Sequence, residues 1–165
     1  MRWVFGLLLM ATTAAAEDLP FSPDATVDCL ADASDHGARE ACIGRAAEAC
    51  YSREGIYSNF AIGACFGAEA DYWDARLNTA YATLIGTEIA LAEDLEKDGV
   101  FAPDAVTALR DMQRAWMPFR DAACWYEVTT WGGGSGSGPA SAECLMHMTG
   151  RQALALEARV EERAE

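Results

Sequence analysis

Hydrophobic positions along this chain recur at steps of three and four residues, the spacing that places side chains on one face of an α-helix. The clearest stripe lies between residues 103 and 130 and consists of Leu109, Met112, Trp116, Phe119, Ala123 and Tyr126. A second stripe follows Ser58, a favourable helix N-cap, and consists of Ile62, Cys65, Trp73, Leu77, Tyr81 and Leu84. No segment alternates convincingly with the period of two that is typical of a β-strand. The pattern predicts an all-α protein that forms a small helical bundle.

Glycine and proline residues mark the ends of these predicted helices. The predicted helices cover residues 24–33, 36–52, 58–98, 103–130 and 140–163. Pro118 lies inside the fourth helix, and because it lacks a backbone donor we expect a kink between Arg114 and Pro118. The glycine-rich segment from residue 131 to 139 is expected to be a flexible loop.

The first sixteen residues have the features of a secretory signal peptide. Arg2 precedes an apolar run over residues 3–10, and residues 14–16 are the small side chains of a cleavage site. A buried N-terminal helix is the alternative interpretation. A mature membrane-spanning helix is excluded, because the apolar run is too short to span a bilayer. We expect cleavage after Ala16, a mature chain that begins at Glu17, a periplasmic or secreted location and no membrane insertion after cleavage.

An exported chain with an even number of cysteines is expected to form disulfides. The six cysteines are Cys29, Cys42, Cys50, Cys65, Cys124 and Cys144. Their connectivity does not follow from sequence alone, and the simplest expectation pairs neighbours in the chain: 29 with 42, 50 with 65, and 124 with 144. Each pair would close a short loop and contribute roughly 3 kcal/mol. The protein is therefore expected to be a disulfide-stapled bundle.

Net charge is the second strong signal in the composition. The chain carries 26 acidic and 12 Lys and Arg residues, a net charge of −14, and loss of Arg2 with the signal peptide makes the mature charge −15. Such a field repels nucleic acid and anionic membranes and attracts cationic proteins. A highly charged surface also keeps an exported protein soluble, which is the alternative explanation.

The chain carries no catalytic motif that predicts an enzyme. The glycine-rich segment matches neither a nucleophile elbow nor a phosphate-binding loop. The chain has no C-x-x-C, and His36 and His147 are far apart, so we expect no metal and no cofactor. His147 is interpreted as a residue at the edge of the core, and Asp121 as the ion-pair partner of Arg120 or a helix cap.

The loop between Cys124 and Cys144 has two possible roles. It can simply connect two helices, or it can be a recognition loop held on a rigid scaffold. The second role gives the candidate partner-binding residues Trp131, Gly133, Ser135 and Ser137. Trp131 would be the anchor because an aromatic side chain can fill a partner's pocket at low entropic cost, and its alternative role is packing against the helix ends.

Three motifs occur in a fixed order along the chain, with paired glycines between the second and the third. They are Leu77-Asn78-x-x-Tyr81, then Gln113-Arg114-Ala115-Trp116-x-x-Phe119-Arg120-Asp121-Ala122-x-Cys124, and finally Cys144-Leu145-x-x-Met148-Thr149. In this order they resemble the LprI-type lysozyme inhibitor family, formerly a domain of unknown function, over roughly residues 65–158. The resemblance implies a small exported helical protein and, for the family's named member, inhibition of lysozyme. Together with the signal-peptide pattern, it divides the chain into a signal peptide (1–16), a Cys-containing helical extension (17–64) and an LprI-like helical domain (65–165).

The motif side chains are expected to have structural roles. Four apolar residues, Leu77, Tyr81, Trp116 and Phe119, are predicted to lie in the core. Three polar residues, Asn78, Gln113 and Arg120, are predicted to be buried partners that link the helices. For Arg120 we expect a contact with Asn78 or with a carbonyl at a helix end.

Charge and resemblance together lead to the main functional hypothesis. Animal-type lysozymes are strongly cationic enzymes with a substrate cleft, so an acidic exported protein could be steered to them and block the cleft. The sequence thus predicts a lysozyme inhibitor whose partner is a cationic lysozyme or another basic protein. The alternatives are a non-inhibitory interaction or envelope-stress protein on the same scaffold, and an enzyme whose site the sequence does not reveal.

Overall fold

A computed structural model describes residues 19–164, and the predicted signal peptide over residues 1–16 lies outside them. The described chain contains six helices and no β-strand: α1 (Asp24–Asp32), α2 (His36–Glu40), α3 (Arg45–Tyr51), α4 (Asn59–Lys97), α5 (Ala105–Thr130) and α6 (Ser137–Ala164). The all-α, disulfide-stapled bundle predicted from the sequence is confirmed. None of the helices between residues 19 and 164 is both long and apolar enough to cross a membrane.

Side-chain caps set the starts of the two long helices α4 and α5. The Ser58 hydroxyl accepts a hydrogen bond of 3.1 Å from the backbone N–H of Ala61, as the sequence predicted. Asp104, directly after Pro103, accepts one of 2.8 Å from the N–H of Thr107. At its other end α4 stops at Lys97, and Gly99 takes a positive φ of 71° in the reversal that follows.

The prediction of a single helix over residues 36–52 is wrong. The chain forms two short helices there, because Gly44 adopts a φ of 99° that a continuous helix does not allow. The last helix also begins earlier than expected, at Ser137 rather than Ala140. Pro139 does not prevent this, since the first turn of a helix has no use for the backbone donor that proline lacks.

Helices α4 and α6 form the centre of the bundle. They run in the same direction, since Gly63 lies beside Pro139 near their starts and Glu88 binds Arg163 near their ends. Helix α5 packs antiparallel against α6. Of the N-terminal helices, α3 packs against α4 and α2 against α6, while α1 packs against α2 and α3. The buried core contains Ile43, Ala47, Cys50, Cys65, Phe66, Trp73, Leu77, Ala80, Leu84, Met146, Ala153, Leu154 and Leu156. Residues of the N-terminal extension thus pack in the same core as the long helices.

Three disulfides join the helices in the pairing expected for chain neighbours. Cys29 pairs with Cys42, Cys50 with Cys65, and Cys124 with Cys144. The first two link α1 to the α2–α3 turn and α3 to α4, which ties the N-terminal extension to the bundle. The third holds the end of α5 against the start of α6. Disulfides of this kind form and persist in oxidising compartments outside the cytoplasm.

Candidate functional site

The glycine-rich segment that was predicted to be a flexible loop over residues 131–139 is a shorter turn. Only six residues, from 131 to 136, connect α5 and α6. The ring of Trp131 lies directly on Gly136, where a Cβ would fall 2.1 Å from a ring carbon, so only glycine fits beneath it. The Trp131 carbonyl accepts a hydrogen bond of 2.8 Å from the N–H of Gly134. About half of the Trp131 side chain remains exposed, at 50%.

The other candidate residues of this turn have separate surroundings. The Ser135 hydroxyl accepts a hydrogen bond of 3.0 Å from the Asn59 side chain, which fastens the turn to the start of α4. Gly133 is exposed and has a φ of 86°. Ser137 lies in the first turn of α6, outside the turn itself. Trp131 and Ser135 therefore line the same surface groove. We call residues 131–136 the Trp131 turn.

In the first motif, Leu77-Asn78-x-x-Tyr81, two of the three named residues are buried or partly buried. Leu77 is buried and Tyr81 is partly buried against the core, as expected. Asn78 is exposed, and its side-chain amide donates a hydrogen bond of 2.8 Å to Asp74 on the same helix. The prediction that Asn78 is a buried link between helices is wrong, because it follows Leu77 directly and so points away from the face that Leu77 buries.

The motif on α5 divides in a similar way. Gln113 is buried and accepts a hydrogen bond of 3.1 Å from the side chain of Gln152 on α6, the kind of link that was expected. Trp116 is partly buried against the core. Phe119, however, is 64% exposed, so the prediction that it belongs to the core is wrong. Helix α5 contacts α6 through the face that carries Gln113 and Cys124, and Phe119 lies outside that face.

Arg120 makes its contacts within α5. Its guanidinium lies over the ring of Trp116 at 5.1 Å from the centroid and binds the carboxylate of Asp121 at 2.8 Å. The expected pairing of Arg120 with Asn78 is therefore wrong, whereas the ion pair with Asp121 agrees with the sequence interpretation. The aromatic ring and the neighbouring carboxylate replace the cross-helix partner that the sequence suggested.

The structure also reveals a buried carboxylate that the sequence analysis did not single out. Glu69 on α4 is fully buried, at 0% exposure. Its oxygens accept hydrogen bonds from the Thr26 hydroxyl, the backbone N–H groups of Gly44 and Ala47, and the indole N–H of Trp73. One signal for it was available, since Glu69 lies four residues after Cys65 and four before Trp73, within the apolar stripe of α4.

Charged side chains close one side of the groove between α4 and α6. Glu157 binds Arg76 through two contacts of 2.8 Å and Arg39 through one of 3.0 Å, and Arg39 also binds Glu161. Burial alone would lower the pKa of Arg76, but its hydrogen bonds to Glu157 and Tyr72 raise it on balance. The adjoining groove has a volume of about 500 Å³. These arginines are neutralised by their carboxylate partners, so the network ties α2 to the bundle and leaves no excess positive charge for a ligand.

The connection between α4 and α5 forms a second exposed surface at the opposite end of the bundle. Glu88 of α4 binds Arg163, the second-to-last residue of α6, at 2.8 Å. Helix α4 continues nine residues beyond Glu88, which corresponds to about 14 Å without support from the described part of α6. At the far end Phe101 is 98% exposed and Val100 is 51% exposed. We call residues 93–104 the hairpin tip.

The hairpin tip is strongly acidic. Its five carboxylates are Glu93, Asp94, Glu96, Asp98 and Asp104, and its one basic residue is Lys97. All six charged side chains are exposed. Hydrogen bonds from the backbone N–H and hydroxyl of Thr107 lower the pKa of Asp104, which keeps that carboxylate ionised. An almost fully exposed aromatic side chain, Phe101, therefore belongs to a segment with excess negative charge.

The described residues contain no group of three or more His, Cys, Asp or Glu side chains placed to hold a metal ion. The hairpin tip and the Trp131 turn each expose an aromatic residue, and they differ in the charged residues nearby. The hairpin tip is the more acidic of the two, with five carboxylates and one basic residue among twelve residues. The Trp131 turn has fewer charges, with Glu127, Glu143 and Arg151 as the charged residues of the adjoining groove.

Comparison with known proteins identifies the family. The family model for the lysozyme inhibitor LprI matches residues 50–156. A protein of Rhodobacter capsulatus, described as an uncharacterized 17.7 kDa protein in the puhA 5' region, is 28% identical over 134 residues, which cover 81% of this chain and 83% of that protein. No solved structure matches the chain significantly. Together with the helical bundle and the ordered motifs, the match over most of the chain shows that this protein belongs to the LprI lysozyme inhibitor family.

Proposed function

We propose that this protein is exported to the periplasm or secreted, and that it binds and inhibits a cationic lysozyme. The family match supports lysozyme as the partner. The hairpin tip carries the structural argument, because it combines a projecting aromatic side chain with excess negative charge. Three disulfides support a location where thiols are oxidised.

Electrostatic attraction explains how the two proteins would meet. The chain has a net charge of −14 before any processing, and a lysozyme of the animal type is strongly positive. Opposite net charges raise the association rate, and dissolved salt screens the attraction over a distance of about 8–10 Å. The association rate should therefore fall as the salt concentration rises.

The shape of the hairpin tip explains how binding would become inhibition. Beyond the pair of Glu88 and Arg163 the bundle narrows to the last nine residues of α4 and the connection to α5. A narrow projection can enter a substrate cleft and exclude the polysaccharide, with Phe101 buried at the centre of the contact and the carboxylates at its rim. The Trp131 turn, which the sequence favoured, is the alternative contact surface.

A lysis assay tests the proposal directly. Mature protein starting at Glu17 is added in molar excess to a lysozyme that is digesting a sensitive cell suspension. We expect lysis to slow, and we expect Phe101→Ser to weaken inhibition by at least about tenfold, the usual effect of losing a central aromatic contact. Charge reversal with Glu93→Lys and Glu96→Lys should mainly lower the association rate and its dependence on salt.

Two matched controls separate the tip from general surface effects. Phe60→Ser removes another highly exposed phenylalanine, at 87% exposure, near the opposite end of α4. Glu54→Lys reverses an exposed charge far from the tip. Both controls should inhibit like the unmodified protein. If the unmodified protein fails to slow lysis, inhibition is refuted and a non-inhibitory envelope interaction becomes the better hypothesis. If it inhibits and the tip variants inhibit equally well, the contact surface is elsewhere.

A further inference from the structure

Helix α5 has a second apolar face that is largely exposed, although the Gln152 side chain of α6 contacts Met112 at its edge. The residues of this face recur at alternating steps of three and four: Ala105, Ala108, Met112, Ala115, Phe119, Ala122, Tyr126 and Thr129. From Ala108 to Thr129 every one of them is exposed. We call this row the solvent-facing seam. It lies beside the face that packs against α6, so α5 is apolar on two sides.

The seam has the pattern of a helix–helix contact. Apolar residues at alternating steps of three and four form the seam along which two helices pack. None of the eight seam residues is charged. Phe119 and Tyr126 are 64% and 67% exposed, and Met112 is 41% exposed. Exposed apolar side chains that form a contiguous row on a protein surface mark an interaction site, whereas single ones do not.

The charges of α5 favour one particular occupant. The helix carries three arginines and three carboxylates, so its net charge is zero: Arg110, Arg114, Arg120, Asp111, Asp121 and Glu127. Acidic residues exceed basic ones in the other two long helices, by seven to two in α4 and by four to three in α6. A cationic partner would therefore prefer other surfaces. A second copy of this acidic chain would be repelled least at α5.

The sizes of the seam residues also fit a second copy. Between Ala108 and Tyr126, alanines alternate with large side chains along the row. If two α5 helices pack antiparallel about a two-fold axis near Met117, Met112 faces Ala122 of the second copy and Phe119 faces Ala115 of the second copy. Tyr126 then faces Ala108 of the second copy. Each large side chain meets a small one, which is how facing helices interdigitate, and the two-fold axis repeats every contact.

From this row we infer that the protein forms a symmetric dimer through antiparallel contact of the solvent-facing seams of two α5 helices. The contact between Ala108 and Tyr126 extends over about 27 Å of helix. It leaves the hairpin tip and the Trp131 turn, at the two ends of α5, outside the centre of the interface. The dimer is independent of lysozyme and would present two copies of each end surface.

Sedimentation velocity of the mature protein without lysozyme tests this inference. The mass should be twice that of the chain at high concentration and fall to that of one chain on dilution. Salt should strengthen the dimer, because it screens the repulsion between two acidic copies. The proposed lysozyme complex responds in the opposite way. The two proposals can therefore fail independently of each other.

Substitutions in the seam make the test specific. Phe119→Glu places a charge in the contact and should weaken dimerisation by at least about tenfold. Phe60→Glu makes the same change at another exposed phenylalanine and should leave the dimer intact. Circular dichroism and thermal unfolding should show that both variants fold. A dimer that survives Phe119→Glu, or that Phe60→Glu weakens equally, would overturn the inference, as would a single-chain mass at every concentration and salt level.

A mixing experiment tests the antiparallel register. Ala115→Glu and Phe119→Lys should each weaken the dimer alone, since each puts a charge against an apolar side chain. In an equimolar mixture, Glu at position 115 of one copy faces Lys at position 119 of the other, and mixed dimers should form. Failure of the mixture to associate better than either variant would refute this register. Loss of lysozyme inhibition in Phe119→Glu, with inhibition retained in Phe101→Ser, would make lysozyme the occupant of the seam instead.

Discussion

The carboxylate of Glu69 on α4 accepts a hydrogen bond of 2.6 Å from the backbone N–H of Ala47 in the first turn of α3. It also accepts one from the N–H of Gly44, so this buried side chain caps a helix more than twenty residues away in sequence. A helix N-terminus has unpaired donors and partial positive charge, which an anion satisfies. The contact attaches the N-terminal extension to the central helix.

Replacing Glu69 tests the strength of this attachment. In Glu69→Gln an amide NH₂ replaces one oxygen, and a donor then faces backbone or side-chain donors in a fully buried site. We expect a loss of about 2–3 kcal/mol in the free energy of unfolding, measured by chemical denaturation. Glu93→Gln, on the exposed end of the same helix, should change stability by less than about 0.5 kcal/mol. Equal effects of the two substitutions would contradict the capping role.

The three disulfides predict the mass of the native protein and the loss of stability when one disulfide is removed. Protein recovered from an oxidising compartment should be six hydrogens lighter than the reduced chain, with no thiol that reacts before unfolding. Replacing both Cys50 and Cys65 by alanine opens a loop with a sequence separation of 15 and should cost about 3 kcal/mol. Reactive thiols in the native protein would show that the pairing is incomplete.

The sequence predicted those parts of the structure that depend on local chemistry. The Ser58 cap and the helix end at Asp98–Gly99 each follow from side chains close to the position concerned, and the three disulfides join cysteines that are neighbours in the chain. The break at Gly44 did not follow, because it depends on Glu69 reaching the new helix start from α4. The exposure of Phe119 did not follow either. Its spacing fits an apolar stripe equally well whether that stripe faces α6 or solvent, and only the packed structure distinguishes the two.

Arg120 should matter less for stability than a buried inter-helix pair would. Its guanidinium stacks on Trp116 and binds the exposed carboxylate of Asp121 within the same helix. We expect Arg120→Ala to lower the free energy of unfolding by about 1 kcal/mol, the combined scale of an accessible ion pair and a cation–π contact. Arg120→Lys keeps the charge and should lower the free energy of unfolding by less than Arg120→Ala does. A loss above about 3 kcal/mol in thermal or chemical unfolding would indicate a buried partner.

His147 should make the fold less stable in mild acid. Burial lowers the pKa of His147, Arg151 lowers it further, and the nearby Glu143 and Glu69 oppose the shift. The unfolded chain then binds a proton near the ordinary pKa of 6.5 while the folded chain does not, so stability falls as the pH drops through that range. His147→Gln should remove this part of the decline in chemical unfolding curves. Identical pH profiles for the two proteins would contradict the lowered pKa.

The Trp131 turn and the hairpin tip lie at opposite ends of α5, about 39 Å apart along the helix, so a single substrate cleft cannot be blocked by both. The sequence alone would predict that Trp131→Ala weakens inhibition. In the structure its ring packs on Gly136. The groove beside it has the charged residues Glu127, Glu143 and Arg151, whereas the hairpin tip has six charged residues. We therefore expect Trp131→Ala to lower the melting temperature slightly and to change the inhibition constant by less than about threefold, whereas Phe101→Ser raises it by at least about tenfold.

Titration of lysozyme activity with both variants, after circular dichroism has shown equal helix content, distinguishes the two surfaces. Weaker inhibition by Trp131→Ala with normal inhibition by Phe101→Ser would assign the contact to the Trp131 turn. The salt dependence provides a second criterion, since association through an acidic contact surface slows more steeply as salt rises than association through a weakly charged one. If the tip is the contact surface, reversing Glu93 and Glu96 flattens that dependence, because these two carboxylates supply much of the charge that would attract the enzyme to Phe101.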